Sequence, residues 1–322
     1  MQNFVLTCGD FNGIGPEICI KAINQIDPAK YNKIYFLIPH NVFNEIAEII
    51  KPEFHFDLIK EISKSGYNKI QVIDLGSYKI KIGEPTKASG RAAYKAITRS
   101  YKIIKKGYAE SVITAPISKT AFNLAGIDFP GHTELYAELS GTKKYGMMFL
   151  SDCFHAMLFT IHEPIKKISS LIQKKSLKEK IELTINTLRK DLGIENPKIA
   201  VLGLNPHAGE KGRIGREEFI IEEVVNKFQN IAVGPFVPDA FFANRLYENY
   251  DCTVGMYHDQ VLIPFKMLNF DKGVNYTCGL PFVRTSPDHG TAYDIAWQNK
   301  ANPNSIIESF KWASIISDGR RK

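Results

Sequence analysis

The sequence lacks the cysteine pattern of a secreted, disulfide-stapled domain. Its 322 residues include five cysteines, an odd number, and no two of them form a CxxC pair. Their positions are 8, 19, 153, 252 and 278. A disulfide framework needs paired cysteines in an oxidising compartment, so we predict free thiols in a reducing one.

Long apolar runs are also missing. No window approaches the roughly 18 consecutive apolar residues that a membrane-spanning helix needs, so no membrane partner is expected. The first ten residues, MQNFVLTCGD, contain no basic region and a short apolar run. This beginning predicts a first β-strand rather than a signal peptide, and a cytoplasmic protein is therefore expected.

Arginine is scarce for a protein with a net charge of +7, since only nine of the 41 basic residues are arginines. The densest basic stretch, residues 166–189, is interleaved with isoleucine and leucine at spacings that predict a solvated helix face. Nucleic-acid binding is not indicated. The positive balance instead favours small anionic ligands.

The two common glycine-rich nucleotide motifs, GxGxxG and GxxxxGK[ST], are absent. The loop GDFNGIGPE (9–17) does lie between a predicted strand and a predicted helix, where a phosphate cradle would be built, but its spacing is different. A conventional dinucleotide-binding turn is therefore disfavoured. The loop is either a tight turn that requires glycine or a ligand contact.

What the sequence does contain is an alternation of short apolar runs with longer helical patterns. The predicted strands include residues 4–7, 33–38, 111–114, 198–204 and 253–257, and helices are predicted to open at Pro16 and to cover residues 89–106. This order is typical of an α/β protein with largely parallel sheets. Residues 1–322 are expected to fold into two lobes that share a central cleft. The chain is expected to pass between the lobes more than once.

Three histidines directly follow predicted strands: His162, His207 and His258. Ligands bind beyond the carboxyl ends of parallel strands, so these side chains are expected near a site. Imidazole binds Zn²⁺ or Co²⁺, and three protein ligands leave positions open for a substrate. Each histidine taken alone is equally compatible with a hydrogen-bonded loop residue.

Lys266, Asn275 and Arg284 are spaced at nine residues in the last third of the chain. A lysine, a neutral donor and an arginine supply the point charge, the hydrogen bond and the bidentate fork that suit a phosphate monoester. The spacing alone also allows three exposed polar residues.

Six motifs in chain order carry a resemblance. They are GIGPE (13–17), TAPISK (114–119), GHTE (131–134), NPHAGE (205–210), YHDQ (257–260) and LPFVRTSPDHGTA (280–292). Together they resemble the 4-hydroxythreonine-4-phosphate dehydrogenase family, and the similarity runs from the first strand to about Asn304.

The resemblance implies an NAD(P)-dependent oxidative decarboxylase of vitamin B6 biosynthesis. It implies a two-lobed α/β/α fold similar to isopropylmalate and isocitrate dehydrogenases, with the active site in the cleft, and a homodimer that shares each site. One divalent metal, Zn, Co or Mg, is implied at His162, His207 and His258. The implied substrate-binding residues are His132, Thr133, Lys266, Asn275 and Arg284. The implied cofactor-binding residues are His289, Gly290, Thr291, Ala292, Asp294 and Asn302.

The chain departs from the family pattern at two points. Phe11 stands where the family usually has proline, and Trp297-Gln298-Asn299 replaces a small, glycine-containing stretch. The second departure lies in the implied cofactor loop, so the choice between NAD and NADP stays open.

The reaction that the resemblance implies converts 4-phosphohydroxy-L-threonine into 3-amino-2-oxopropyl phosphate and carbon dioxide. Our hypothesis is that one metal ion assists both the oxidation of the hydroxyl and the decarboxylation of the resulting β-keto acid. Asp239 is the preferred general base or orienting group. Asp259 is a further carboxylate beside His258, and Lys119 is a candidate base if burial lowers its pKa.

Other activities remain open at this point. Within the same architecture, the substrate could be a phosphorylated sugar acid, such as 4-phospho-threonate or erythronate, or a cyclic dihydrodiol carboxylate. A metal-dependent phosphatase or a phosphate acyltransferase is an alternative of another class, and binding of NAD(P)H distinguishes it from a dehydrogenase.

Overall fold

The structure, a computed structural model, describes residues 2–62 and 67–321. In this part of the chain the strands are β1 (Gln2–Thr7), β2 (Tyr31–Ile38), β3 (Phe56–Ile59), β4 (Ile70–Asp74), β5 (Ser111–Thr114), β6 (Gly146–Leu150), β7 (Ala156–Leu158), β8 (Ile199–Leu202), β9 (Ala232–Phe236), β10 (Cys252–Gly255), β11 (Val274–Cys278) and β12 (Val283–Pro287). The α-helices are α1 (Gly15–Gln25), α2 (His40–Ile49), α3 (Lys87–Lys105), α4 (Lys119–Leu124), α5 (His132–Ser140), α6 (Ile165–Leu171), α7 (Lys174–Lys190), α8 (Glu217–Val225), α9 (Pro238–Ala243), α10 (His258–Asn269) and α11 (Asn304–Gly319).

The chain divides into two compact units. Unit 1 comprises Met1–Lys143 and Leu280–Ser317, and unit 2 comprises Lys144–Gly279 and Asp318–Lys322. The chain therefore passes from one unit to the other three times. Strands and helices alternate within each unit, so the predicted α/β class is confirmed.

Unit 1 contains six strands in its described residues, in the order β3-β4-β2-β1-β5-β12. Each of its neighbouring strand pairs is parallel. Strands covered on both faces read as continuous apolar runs, and the side chains of Phe4, Val5 and Leu6 in β1 are completely buried. The predicted strands 4–7, 33–38 and 111–114 correspond to β1, β2 and β5.

Helix α3 begins two residues earlier than predicted because of its cap. Thr86 accepts a hydrogen bond from the Ser89 backbone N–H through its side chain, and the Ser89 hydroxyl oxygen accepts one from the Thr86 backbone. This reciprocal capping satisfies two backbone donors that a helix start leaves open. The helix ends beside Gly107, whose φ of 73° stops it as expected.

Unit 2 contains the order β11-β6-β7-β10-β8-β9. The strands from β7 to β9 are parallel, whereas β6 runs antiparallel to both β7 and β11. The five residues between β6 and β7 are too few for a parallel crossover, which requires a dozen or more. The core includes Phe149, Phe154, Phe241 and Phe265, all at most 5% exposed.

Two strands of unit 2 are shorter than predicted. Residues 198–204 and 253–257 were expected to be strands, but β8 ends at Leu202 and β10 at Gly255. Beyond these ends, the carbonyl of Gly203 and the N–H of Met256 hydrogen-bond to the side chain of Gln260. The apolar runs therefore continue past the last strand residues, although the N–H of Gly203 still donates a 2.8 Å hydrogen bond to the carbonyl of Phe236 in β9.

The five cysteines are free thiols, as predicted; four are buried and Cys153 is exposed. The basic stretch 166–189 forms most of two helices, α6 and α7, rather than one. Within residues 2–62 and 67–321, no helix combines the length and the apolar character needed to cross a membrane.

Candidate active site

Three neighbouring parallel strands of unit 2, β7, β10 and β8, lead into the segments that carry the predicted metal ligands. His162 follows β7, His258 opens α10 directly after β10, and His207 follows β8. Because parallel strands end at the same edge of a sheet, the three histidines belong to one edge. The strand-end prediction for these residues therefore agrees with the topology of the unit.

His162 and His258 lie against each other. Their ring centroids are 6.0 Å apart, and the ring planes are inclined by 35°. Nδ1 of His258 lies 2.7 Å from Oδ1 of Asp259. A carboxylate at Nδ1 fixes the orientation of an imidazole and leaves Nε2 available, as in many metal-binding histidines.

His207 lies on an unusual backbone. Residues 207–211 all have positive φ, between 43° and 74°, and only Gly209 among them is a glycine. A left-handed conformation costs roughly 1–2 kcal/mol for each residue with a Cβ, so neighbouring contacts must stabilise this turn. The buried carboxylate of Glu218 accepts hydrogen bonds from the N–H groups of Leu204 and Asn205, directly before the turn.

Across the described residues of this single chain, no group of three or more His, Cys, Asp or Glu side chains is arranged to hold a metal ion. Ring contact joins His162 and His258, and His207 is not part of that pair. The three histidines therefore remain a prediction as metal ligands, of which the ring contact between His162 and His258 is the part that the structure shows.

Unit 1 contains a buried arginine among the predicted substrate-binding residues. Arg284 in β12 is 3% exposed, and its guanidinium donates to Thr114 Oγ1 at 2.8 and 3.2 Å and to Thr133 Oγ1 at 3.5 Å. Burial lowers the pKa of Arg284 to about 10, so the side chain stays charged at neutral pH. Thr133 reaches this position because it lies in the first turn of α5.

His132, the first residue of α5, is buried beside the same arginine. Its ring stacks on Tyr136 with centroids 6.4 Å apart. Burial, together with the charge of Arg284, holds the pKa of His132 well below its usual value of 6.5. Its buried Nε2 has no hydrogen-bond partner among the residues that the structure describes, and such an orphaned atom is expected where a ligand binds.

Asn275 and Lys266 belong to unit 2. Asn275 lies in β11, and its Oδ1 is also buried without a hydrogen-bond partner in the described part of the chain. Lys266 lies on α10 and is exposed. Of the five predicted substrate-binding residues, the structure thus brings together His132, Thr133 and Arg284. Like His132, Asn275 has a buried polar atom without a hydrogen-bond partner in the described residues.

The predicted cofactor loop packs against the glycine-rich turn within unit 1. The carbonyl of Thr291 accepts a hydrogen bond from Ile14 N–H at 3.0 Å. A Cβ at Gly13 would lie 2.6 Å from the Thr291 oxygen, and one at Gly15 would lie 2.0 Å from the Cys8 oxygen. Glycine is therefore needed at position 13 for the close approach of the Thr291 backbone and at position 15 for that of the Cys8 backbone. The predicted cofactor residues His289, Gly290, Asp294 and Asn302 are exposed, and Thr291 and Ala292 are half-buried.

The two departures from the family pattern contact each other. Trp297 Nε1 donates a 3.0 Å hydrogen bond to the carbonyl of Phe11, and both side chains are buried. The buried carboxylate of Glu17 accepts hydrogen bonds from the N–H groups of Asn299 and Ala301. Trp297 and Asn299 both have positive φ, so these bonds stabilise a costly backbone.

Sequence reasoning assigned no role to Asp10, which the structure places at the junction of three segments. Its carboxylate accepts hydrogen bonds from Ser89 Oγ at 2.8 Å, from Tyr293 Oη at 2.9 Å and from Asn12 N–H at 3.0 Å. Burial raises the pKa of this carboxyl. The one local signal for a role of Asp10 was its place in the glycine-rich loop, directly after Gly9. That position does not reveal hydrogen-bond partners that lie 79 and 283 residues away in the sequence.

The candidate bases lie in different units. Lys119 is the first residue of α4 in unit 1, and Asp239 lies on α9 in unit 2. Both are exposed. The burial on which a basic role of Lys119 depended is therefore not found, and Asp239 stays a prediction.

The buried, neutral state of His132 has a consequence for pH dependence. The unfolded chain takes up a proton at this residue below about pH 6.5, whereas the folded chain does not, so acidification favours unfolding. When the pH is lowered from 7.0 to 5.5, the free energy of unfolding should fall in the unmodified protein. In His132→Asn we expect this fall to be smaller by about 1 kcal/mol. Urea unfolding at the two pH values measures this. His55→Asn, which alters an exposed histidine, is the control, and equal losses in all three proteins would contradict the assignment.

The alternating strands and helices of the two units define an α/β protein. Isocitrate dehydrogenase from Methylococcus capsulatus is similar to this chain with a TM-score of 0.53 over 100% of this chain and 88% of that one, at 13% identity, which shows the fold alone. The family model described as pyridoxal phosphate biosynthetic protein PdxA matches residues 29–313, and the chain belongs to this family.

Individual relatives agree. The chain is 39% identical over 319 residues to 4-hydroxythreonine-4-phosphate dehydrogenase from Aquifex aeolicus, covering 97% of this chain and 98% of the relative. A crystal structure of 4-hydroxythreonine-4-phosphate dehydrogenase from Klebsiella pneumoniae is similar with a TM-score of 0.85 and 34% identity, covering 98% of this chain and 100% of that one. The predicted family, the oxidoreductase class and the role in pyridoxal phosphate biosynthesis are confirmed.

Proposed function

We propose that the protein catalyses the NAD(P)-dependent and divalent-metal-dependent oxidative decarboxylation of 4-phosphohydroxy-L-threonine to 3-amino-2-oxopropyl phosphate. The names of the relatives support the reaction. The single structural observation that carries the proposal is the buried cluster of Arg284, His132 and Thr133.

This cluster suits the phosphate of the substrate. The guanidinium of Arg284 is charged, and the hydroxyls of Thr114 and Thr133 orient it. Its planar fork matches a phosphate oxygen pair, and charge-assisted hydrogen bonds are the strong ones. The neutral ring of His132 adds a hydrogen bond through Nε2 without adding charge. Lys266 and Asn275 complete the proposed set of substrate-binding residues.

The proposed metal ligands are His162, His207 and His258, and the donor set fits a divalent ion. Imidazole nitrogens are suitable ligands for Zn²⁺ and Co²⁺, and the 6.0 Å between two of the rings leaves room for an ion. Asp259 orients His258 so that its Nε2 is available. A bound ion would stabilise negative charge on the substrate oxygen during both oxidation and decarboxylation.

The nicotinamide cofactor, NAD or NADP, would supply the hydride acceptor. His289, Gly290, Thr291, Ala292, Asp294 and Asn302 are its proposed contacts. Glu17 and Asp10 hold both ends of this segment by hydrogen bonds to Ala301 and Tyr293. Buried carboxylates therefore position this segment while His289, Asp294 and Asn302 stay exposed. Asp239 is the proposed general base.

The proposal includes a homodimer in the cytoplasm. Helix α10, which begins at His258, exposes Ile263 and Met267, and Phe270 directly after the helix continues the same spacing; the three side chains are 59%, 81% and 84% exposed. A contiguous apolar face of this kind is typical of an interface between protein chains. A second copy covering this face would pack along the helix that carries His258 at its N-terminal end. Free thiols, four of them buried, suit a reducing compartment.

Charge on this face is expected to separate the subunits. Met267→Glu combined with Phe270→Glu introduces two charges that dimer formation would have to desolvate, so we expect a monomer in sedimentation velocity and at least a tenfold loss of turnover. Leu124→Glu changes an exposed leucine in unit 1 and should leave the dimer intact. A dimeric double variant would contradict the assignment of the interface to α10.

The reaction itself is tested with protein that has been stripped by a chelator and resupplied with Zn²⁺, Co²⁺ or Mg²⁺. We expect NADH or NADPH to form from 4-phosphohydroxy-L-threonine only when metal is present. If the cofactor binds but nothing is reduced, the substrate assignment is wrong, and 4-phospho-threonate and 4-phospho-erythronate are tested next. If no cofactor binds, the dehydrogenase proposal fails.

A further inference from the structure

The YHDQ motif contains one residue whose role the reaction does not explain. Gln260 is buried, at 9% exposure, in the first turn of α10, two residues after His258. Its Nε2 donates a 2.7 Å hydrogen bond to the carbonyl of Gly203, and its Oε1 accepts a 2.7 Å hydrogen bond from the N–H of Met256. Both ends of the amide are thus engaged by the main chain.

The two partners of Gln260 belong to different histidine-bearing segments. Gly203 directly follows β8 and leads to His207, whereas Met256 directly follows β10 and leads to His258. Gln260 therefore joins, through one side chain, two strand ends that are separated by more than fifty residues of sequence.

The third histidine-bearing segment is connected to the same point. Thr160, two residues before His162, donates a 2.6 Å hydrogen bond from Oγ1 to the carbonyl of Met256. Thr160 is also buried, at 7% exposure. A continuous chain of buried hydrogen bonds thus runs from Thr160 through Met256 and Gln260 to Gly203.

We propose that Gln260 is a positioning residue for the metal-binding histidines, because it holds the strand ends that carry His207 and His258 in one arrangement. The inference rests on the proposed metal site. Gln260 contacts backbone rather than ligand, so it acts on the ion only through the segments that it joins. Residues that orient metal ligands typically contribute 10- to 100-fold to metal affinity.

Gln260→Met tests the inference because methionine has nearly the same length and removes both hydrogen bonds. The chain offers a matched control in Asn269, at the other end of α10. Asn269 is equally buried, but its amide donates to the carbonyl of Phe265 within its own helix. Asn269→Leu therefore removes a buried amide from α10 without touching a histidine-bearing strand end.

The measurement is the affinity for Co²⁺ alone, obtained by competition with a chromogenic chelator, together with the visible absorption spectrum of the bound Co²⁺ and the melting temperature. We expect Gln260→Met to bind Co²⁺ about 10- to 100-fold more weakly, with an altered spectrum. Asn269→Leu should stay within about twofold of the unmodified protein, even if its melting temperature falls equally.

Gln260→Glu keeps the length of the side chain and the acceptor for Met256 N–H, but it replaces the donor to Gly203 by oxygen. It is the variant to use if Gln260→Met does not fold, and a loss of Co²⁺ affinity in it supports the inference equally. Unchanged Co²⁺ affinity and spectrum in a folded Gln260 variant overturn the inference while the metal site stands. If the unmodified protein binds no Co²⁺, the metal assignment itself fails, and the role of Gln260 fails with it.

Discussion

Replacing His207 with alanine is expected to reduce metal-dependent kcat/KM by about 100- to 1,000-fold, as judged from NADH formation at saturating metal. Loss of one of the proposed imidazole ligands would remove about 3–4 kcal/mol of the stabilisation that a bound ion would give to the developing charge. Alanine has a Cβ like histidine, so the conformational cost of the left-handed turn should stay about the same. Because His207 is also exposed, the melting temperature should change little. Near-normal activity in this variant would contradict the metal assignment.

The same variant tests whether the site is shared. When His207→Ala and His258→Ala proteins are mixed so that subunits exchange, half of the dimers carry one subunit of each kind. In a shared site of a twofold-symmetric dimer, one of the two sites in each mixed dimer regains all three histidines. About a quarter of the normal activity should therefore return. If mixed dimers form and no activity returns, His207 and His258 act within one subunit.

The second large effect is expected at Arg284. Arg284→Met should lower kcat/KM for the phosphorylated substrate by roughly 30- to 150-fold, mainly through KM, because hydrogen bonds between charged groups contribute about 2–3 kcal/mol. Arg284→Lys keeps the charge but loses the planar fork, so it should recover only part of the loss. Initial rates over a range of substrate concentrations separate KM from kcat.

Comparison of substrates controls for indirect effects of a buried substitution. The unphosphorylated amino acid lacks the group that Arg284 is proposed to bind, so its kcat/KM should be nearly the same in all three proteins. An unchanged KM for the phosphorylated substrate in Arg284→Met would mean that the phosphate binds elsewhere. A drop of equal size for both substrates would indicate damage to the fold around Thr114 and Thr133.

Local patterns predicted β1, β2, β5 and α3 of unit 1 because these elements depend on nearby residues, whereas β3, β4 and β12 were not among the predicted strands. The apolar run of β1 and the helical spacing of apolar residues in α3 can be recognised within a short stretch of consecutive residues. In unit 2 the same reasoning extended β8 and β10 too far. Hydrophobic alternation does not record where a side chain such as Gln260 replaces a neighbouring strand as the hydrogen-bond partner.

In the candidate site, too, features that depend on local sequence could be predicted, and features that depend on distant residues could not. The positions of His162, His207 and His258 after strands could be predicted, because strand order along the chain is local information. The contact between His162 and His258 rings could not, since it depends on which strands become neighbours. The roles of Asp10 and Glu17 were equally hidden, because their partners lie near the other end of the chain.

The sequence by itself determined the α/β class and the family, and it supplied the side chains that we propose for metal and phosphate, because composition, periodicity and motif order are independent of packing. The tertiary structure alone decided which of these side chains are buried, which protonation state they hold and which backbone supports them. His132 is neutral because it is desolvated beside Arg284, and His207 lies on a left-handed turn that contacts around Glu218 stabilise. Desolvation and such contacts arise between residues far apart in sequence, and only folding brings them together.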